Sequence, residues 1–316
     1  MKSNNEKTVN NFVFLGLPGS GKTTYFSVMA HHFQLIANRS ANLNVLYLPT
    51  EYTDKATNQK KLKNTTADFI ADCNRLLARQ DWPDKTQDYF CAYTIELQYS
   101  FNDFDISLLN ELYETEEIII DYHDYPGEAF EVAFGNAVGD FNGKNASPKN
   151  MQELAEDMKK RIKTADGLFL IIDVDDLFNG TDASKKSNIL ASLLSYIQKN
   201  NKDVRIAVIF NKIELFNGLT IDFRALLRKQ YGNAYSCLRL LNHRFFDVFP
   251  VGNVETDTNG KPIPPPKTHP KNILEPVRWL ADLSPSKWIL FLHVLDNLLS
   301  GETIHHLIQK VRKKRK

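Results

Sequence analysis

The nine residues Gly16-Leu17-Pro18-Gly19-Ser20-Gly21-Lys22-Thr23-Thr24 combine three glycines, a lysine and two threonines, and they follow directly on the apolar run Phe12-Val13-Phe14-Leu15. Phe26, Met29, Ala30, Phe33 and Ile36 then recur at helical spacing, with Asn38 as a stop signal. A G-x-x-x-x-G-K-[ST] pattern placed between a strand and a helix is suited to anion capture. Glycines let successive backbone N–H groups turn inward, and the first turn of the helix adds its unsatisfied amides and the positive end of its dipole. The expected binding segment is therefore Gly16, Pro18, Gly19, Ser20, Gly21, Lys22, Thr23 and Thr24. In it Lys22 supplies charge to the outer phosphates, and the Thr23 hydroxyl is an oxygen ligand for Mg²⁺.

Two further segments carry chemistry at the ends of apolar runs. After Ile118-Ile119-Ile120 comes Asp124-Tyr125-Pro126-Gly127-Glu128. A carboxylate there can hold Mg²⁺, and a glycine lets a backbone N–H approach a terminal phosphate, which are the roles expected of Asp124 and Gly127. After the run 204–210 comes Asn211-Lys212-Ile213-Glu214. A carboxylate two residues beyond a lysine can accept from both N1–H and N2–H₂ of guanine, whereas adenine opposes it with a lone pair at N1. Asn211, Lys212 and Glu214 are thus the expected base-binding residues.

Elements must bring these three segments together. Further apolar runs at 45–48, 93–99, 168–172 and 246–251 read as strands, most of them too apolar on both faces for a half-exposed sheet. Helical patterns between them imply an α/β fold with a doubly wound, largely parallel sheet. Two long insertions interrupt the pattern. Residues 50–87 are polar and expected to be helical over about 56–79, and residues 135–150 are rich in Gly and Asn. The expected organisation is a nucleotide-binding domain over 1–258, a proline-rich connector over 259–272 that cannot sustain helix or ladder, and a helical extension over 273–316.

The 316 residues, 42% apolar, suffice for a sizeable core, and three scattered cysteines without a C-x-x-C pair suit a reducing compartment. With no apolar signal core and no long apolar run, a cytoplasmic location is expected. Net charge is +1, yet six of the last seven residues are basic, so the remainder is mildly acidic. That balance argues against a nucleic-acid-binding face. The tail reads either as a solvated end or as a contact with an anionic surface.

In order and placement, GLPGSGKT, DYPGE and NKIE resemble the first, third and fourth motifs of P-loop GTPases of the translation-factor and Ras-like class. The DYPGE form of the third motif, together with Asn272-Ile273-Leu274-Glu275-Pro276-Val277-Arg278-Trp279-Leu280 as an N-x-x-x-P-x-x-W-L stretch, is similar to the bacterial double-GTPase group. The resemblance implies GTP and GDP as ligands, Mg²⁺ as cofactor, slow hydrolysis, and a protein effector or partner subunit in a bacterial signalling or defence-related system. It also implies a switch threonine, for which Thr86 in Pro83-Asp84-Lys85-Thr86 is the leading candidate and Thr65 and Thr66 the alternatives. Glu128 stands where Ras-like proteins carry a water-orienting Gln, and Glu214 stands where the fourth motif prefers Asp. No Ser-Ala-Lys motif follows the last strand, where Val251-Gly252-Asn253 is a positional candidate. Two other readings of the same loop are an ATP-dependent small-molecule kinase and a non-hydrolysing scaffold. A kinase needs an acceptor pocket and an Arg-rich lid, and the sequence displays neither.

Overall fold

Every residue from Phe12 to Leu15 is buried, as expected of a strand covered on both faces. In the computed structural model the described residues are 9–38, 43–48, 50–54, 59–63, 66–83, 91–99, 116–124, 127–135, 148–216 and 221–281. The chain runs β1 (Val9–Gly16), α1 (Lys22–Ala37), β2 (Leu43–Leu48), β3 (Thr50–Asp54), β4 (Gln59–Lys63), α2 (Thr66–Ala78), β5 (Cys91–Tyr99) and β6 (Glu116–Asp124). It continues through α3 (Gly127–Phe134), α4 (Pro148–Thr164), β7 (Gly167–Asp173), α5 (Val174–Asn179), α6 (Ala183–Asn200), β8 (Arg205–Asn211) and a 3₁₀ turn, Ile213–Phe216. Then follow α7 (Phe223–Gln230), α8 (Gly232–Leu238), β9 (His243–Asp247), β10 (Glu255–Thr256), β11 (Pro262–Ile263) and α9 (Glu275–Leu280).

Seven strands form one sheet in the order β2-β5-β6-β1-β7-β8-β9. The pairs of β1 with β6 and β7, of β7 with β8, and of β8 with β9 are parallel; β5 is antiparallel to both its neighbours. The sheet is therefore doubly wound and largely parallel, with β5 as the one reversed strand. Helices cover both faces. Tyr25, Phe26 and Phe33 of α1 pack with Phe14, Phe169 and Val277 on one side, and Met158, Ile162 and Leu193 pack with Val13, Leu168 and Val208 on the other.

The insertion after β2 departs from the helix expected over 56–79. Residues 50–54 and 59–63 form an antiparallel hairpin, and helix begins only at Thr66. The first strand, Thr-Glu-Tyr-Thr-Asp, holds β-branched and aromatic residues that favour an extended backbone. Thr66 is fully buried; its hydroxyl donates to Leu48 O at 2.6 Å and accepts from Thr94 N at 3.2 Å, pinning the start of α2 to the sheet edge.

The segment 259–272, expected to exclude any ladder, contributes β11 to a two-residue pairing with β10. Asp257 organises the turn by accepting from Asn259 N and Lys261 N, both at 2.8 Å. Pro262 is tolerated because it sits in a two-stranded edge pairing, where a missing N–H costs little. Beyond it, Ile273, Leu274, Val277 and Leu280 belong to the buried cluster of the α1 face. The Tyr25 hydroxyl donates to Ile273 O at 2.9 Å, and Arg205 donates to Trp279 O at 3.1 Å. The further helices expected beyond residue 281, and the basic tail at 310–316, lie outside the described residues.

Candidate functional site

The central strand β1 is flanked by β6 and β7, so the chain order reverses around it, and in open α/β sheets ligands bind at the carboxyl ends of strands at such a switch point. Gly16 pairs with Ile171, Asp173 pairs with Asn211, and continuing the Val13–Asp121 register brings Asp124 level with Gly16. The three sequence segments thus converge on one edge of the sheet.

The loop between β1 and α1 has the geometry the glycines were expected to permit. Gly19 and Gly21 have φ of 75° and 80°, in the left-handed region that side-chain-bearing residues avoid. Gly21 is the N-cap of α1 and no side chain caps that helix, so its first amides are available to an external acceptor. Gly16 has no room for a Cβ, which would lie 2.7 Å from Ile171 O. Lys22 Nζ donates to Gly16 O at 2.9 Å and to Leu17 O at 3.0 Å, arching back over the loop. Ser20 is buried, and its hydroxyl has no partner among the described residues.

Thr23 Oγ1 lies 2.8 Å from the hydroxyl of Tyr122. Tyr122 is fully buried on β6, two residues before Asp124, with its ring stacked on Phe26 at 4.7 Å. This bond ties the first turn of α1 to the strand that carries Asp124. The sequence does not point to this bond: the apolar run ends at Ile120, whereas β6 continues through Tyr122 to Asp124.

At the neighbouring strand end, Asn211 is buried and its Nδ2 donates to Ser20 O at 2.8 Å, joining the NKIE segment to the phosphate-type loop. Gly21 is the residue that permits this approach, since a Cβ there would collide with Asn211 Nδ2. Lys212 has a left-handed backbone, φ 65°, and its ammonium pairs with Asp173 Oδ2 at 2.6 Å. Glu214, in the 3₁₀ turn, is 7% exposed, and its Oε2 has no hydrogen-bond partner among the described residues. Burial pushes the Glu214 carboxyl up to about 7, against smaller downward pulls from its own backbone N–H and from Lys212. A buried carboxylate with an open oxygen is costly to keep unless a ligand uses it.

A second polar group surrounds this one. Asp173 caps α5 by accepting from Asp176 N at 3.2 Å. Burial raises the Asp173 carboxyl, although the pairing with Lys212 opposes it. Asp176 in turn pairs with Lys186 and accepts from the Tyr231 hydroxyl at 2.6 Å. The sequence signal for this arrangement was available: Asp173-Val174-Asp175-Asp176 is an N-cap followed by an acidic first turn, where carboxylates suit both the free amides and the dipole.

Of the remaining expected site residues, Asp124 ends β6, Gly127 opens α3, and Glu128 lies in the first turn of α3. Pro18 is in the loop, and Thr24 is in the first turn of α1. Thr86 and Thr65 lie outside the described residues. Thr66 is committed to Leu48 and Thr94, a structural role.

No protein-family model and no curated protein sequence matches the chain. Among solved structures, it is similar to a nucleolar GTP-binding protein 1 of Plasmodium falciparum, at 14% identity and a TM-score of 0.36, over 99% of this chain and 100% of that one. It is also similar to the Arl6 small GTPase of Trypanosoma brucei, solved with the analogue GppNp, at 11% identity and a TM-score of 0.35, over 87% of this chain and 96% of that one.

Proposed function

We propose that the chain binds guanine nucleotides with Mg²⁺ and acts as a slowly hydrolysing GTPase switch. The observation that carries the reading is Glu214 Oε2, buried and without a hydrogen-bond partner among the described residues, in the strand-end turn that Asn211 bonds to the phosphate-type loop. One ligand can occupy both places: phosphates at the amides of α1, and a base with adjacent N–H donors at the carboxylate. Guanine has those donors and adenine does not. Residues 16–24 hold the phosphates with Lys22 as their cation, and Asn211 and the Lys212 stem support the base.

The donors suit Mg²⁺. Thr23, in the first turn of α1, and Asp124, at the end of β6, are residues with hard oxygen donors beside the phosphate-type loop, a donor set suited to an ion that takes its remaining ligands from phosphate and water. When bound, Mg²⁺ would neutralise phosphate charge. Gly127 would offer its backbone N–H to the terminal phosphate, with Thr86 as switch threonine. Glu128 would be the water-facing residue, and its negative charge beside a charge-rich transition state supports slow turnover. A partner carrying a cation would relieve that repulsion. The DYPGE motif supports a place in a bacterial signalling or defence-related system, and the basic tail supports a contact with an anionic surface.

Competition between GTP and ATP, with Mg²⁺ present and absent, tests the reading. GTP is expected to win by about tenfold to a hundredfold, the range a bidentate base contact supplies. Equal binding of ATP would overturn the guanine assignment, and transfer to an added small-molecule acceptor in place of free phosphate would favour a kinase.

Gly21→Ala is expected to lower nucleotide affinity at least about tenfold, because alanine at φ 80° is strained and its Cβ displaces Asn211, uncoupling phosphate and base sites together. Calorimetric titration checks this; unchanged affinity would mean that the Asn211 bridge does not serve binding.

A further inference from the structure

Lys212 raises a problem for Glu214. It stands two residues away and already draws the Glu214 carboxyl down, so its ammonium is a candidate to neutralise the group proposed for base recognition. In the structure it does something else. The ammonium is held by Asp173 Oδ2 at 2.6 Å, on the neighbouring strand β7, and Asp173 is itself fixed by capping α5 at 3.2 Å from Asp176 N. The strands set this distance, since Asp173 and Asn211 are register partners at the ends of β7 and β8.

We infer that Asp173 is a specificity-positioning residue: by holding the Lys212 ammonium it keeps the lysine stem beside Gly21 and leaves the Glu214 carboxylate open to a ligand with two adjacent N–H donors. The inference rests on the guanine reading and adds to it the device that keeps the base-reading group unpaired. Three observations agree. The Cε of Lys212 lies 3.9 Å from the position of a Gly21 Cβ, so the stem runs past the phosphate-type loop toward Asp173. Lys212 adopts φ 65°, a backbone that a lysine does not choose without tertiary constraint. Glu214 Oε2 has no hydrogen-bond partner among the described residues, although a cation lies two residues away. The nearby Lys186 does not compete for the role, because it is paired with Asp176.

Asp173→Asn tests this with little change of shape. Asparagine is an equally good N-cap, so α5 keeps its start, while the charge that anchors Lys212 is removed. The freed ammonium is expected to turn to Glu214. The GTP-to-ATP affinity ratio should then fall about tenfold, with ATP affinity within about threefold of wild type. Adding Lys212→Met removes the competing cation and keeps an apolar stem. The double variant should recover most of the GTP preference, which a merely structural role for Asp173 would not produce. If Asp173→Asn does not fold, Asp173→Ser, also a capping residue, is read in the same way. A GTP preference in wild type that survives Asp173→Asn, or is lost without recovery in the double variant, overturns the positioning role alone. Absence of any GTP preference in wild type overturns the guanine reading and this inference with it.

Discussion

Lys22→Ala is expected to lower nucleotide affinity on the order of a thousandfold while leaving the ligand-free fold intact. The Lys22 ammonium donates to the backbone carbonyls of Gly16, at the end of β1, and of Leu17, in the loop, and both bonds are only partly buried. Losing these two bonds from the free protein should cost about 1–3 kcal/mol in total, because water can solvate the partly buried groups left behind. Against phosphate the balance differs. A charge-assisted bond contributes about 1.5–3 kcal/mol, and an ammonium spanning two phosphates makes at least two of them. Titration calorimetry and a ligand-free melting curve separate the two effects. Wild-type affinity in a folded Lys22→Ala protein would remove the loop from the binding site.

The second expected result couples stability to recognition through Glu214. Its carboxyl is raised by burial from 4.5 to about 7 in the folded chain. The folded state therefore binds this proton more tightly than the unfolded state, and the associated stability is present in full below pH 4.5 and is lost as pH rises through 7. Glu214→Gln removes the buried charge. It should raise the melting temperature of the ligand-free protein at pH 8, by up to about 3 kcal/mol in stability, and change little at pH 4. The same substitution should erase most of the preference for GTP over ATP. A residue whose removal stabilises the free protein and abolishes selectivity is held for its ligand. In wild type the GTP preference should also weaken below pH 7, since only the ionised carboxylate accepts from both guanine donors, while ATP affinity stays flat. Glu214→Gln that destabilises at pH 8, or a pH-independent preference, would contradict this account.

The sequence by itself determined what depends on local spacing. The strand-loop-helix around Gly16 to Lys22 was legible because apolar runs, glycines and helical periodicity are all written within thirty residues, and the structure follows them down to Asn38, whose N–H closes α1 on Gln34 O at 2.9 Å. The alternation of apolar strands and amphipathic helices likewise sufficed for a doubly wound sheet, because strands covered on both faces must be apolar throughout. Tertiary structure decided the rest. The hairpin of β3 and β4 could not be told from helix by a polar, lysine-rich stretch without a clear period. The reversal of β5 and the place of β2 beyond it depend on pairing partners that local pattern does not name. Ile273 to Leu280 read as the beginning of a separate helical extension, yet those apolar residues complete the buried face over α1, because a half-covered sheet leaves apolar surface that any nearby amphipathic segment can bury. The relations that give the candidate site its chemistry are of the same kind. Thr23 meets Tyr122 across 99 positions of chain, and Lys212 meets Asp173 across 39. Such contacts arise only when parallel strands bring their ends level, so no reading of neighbouring residues could have paired them.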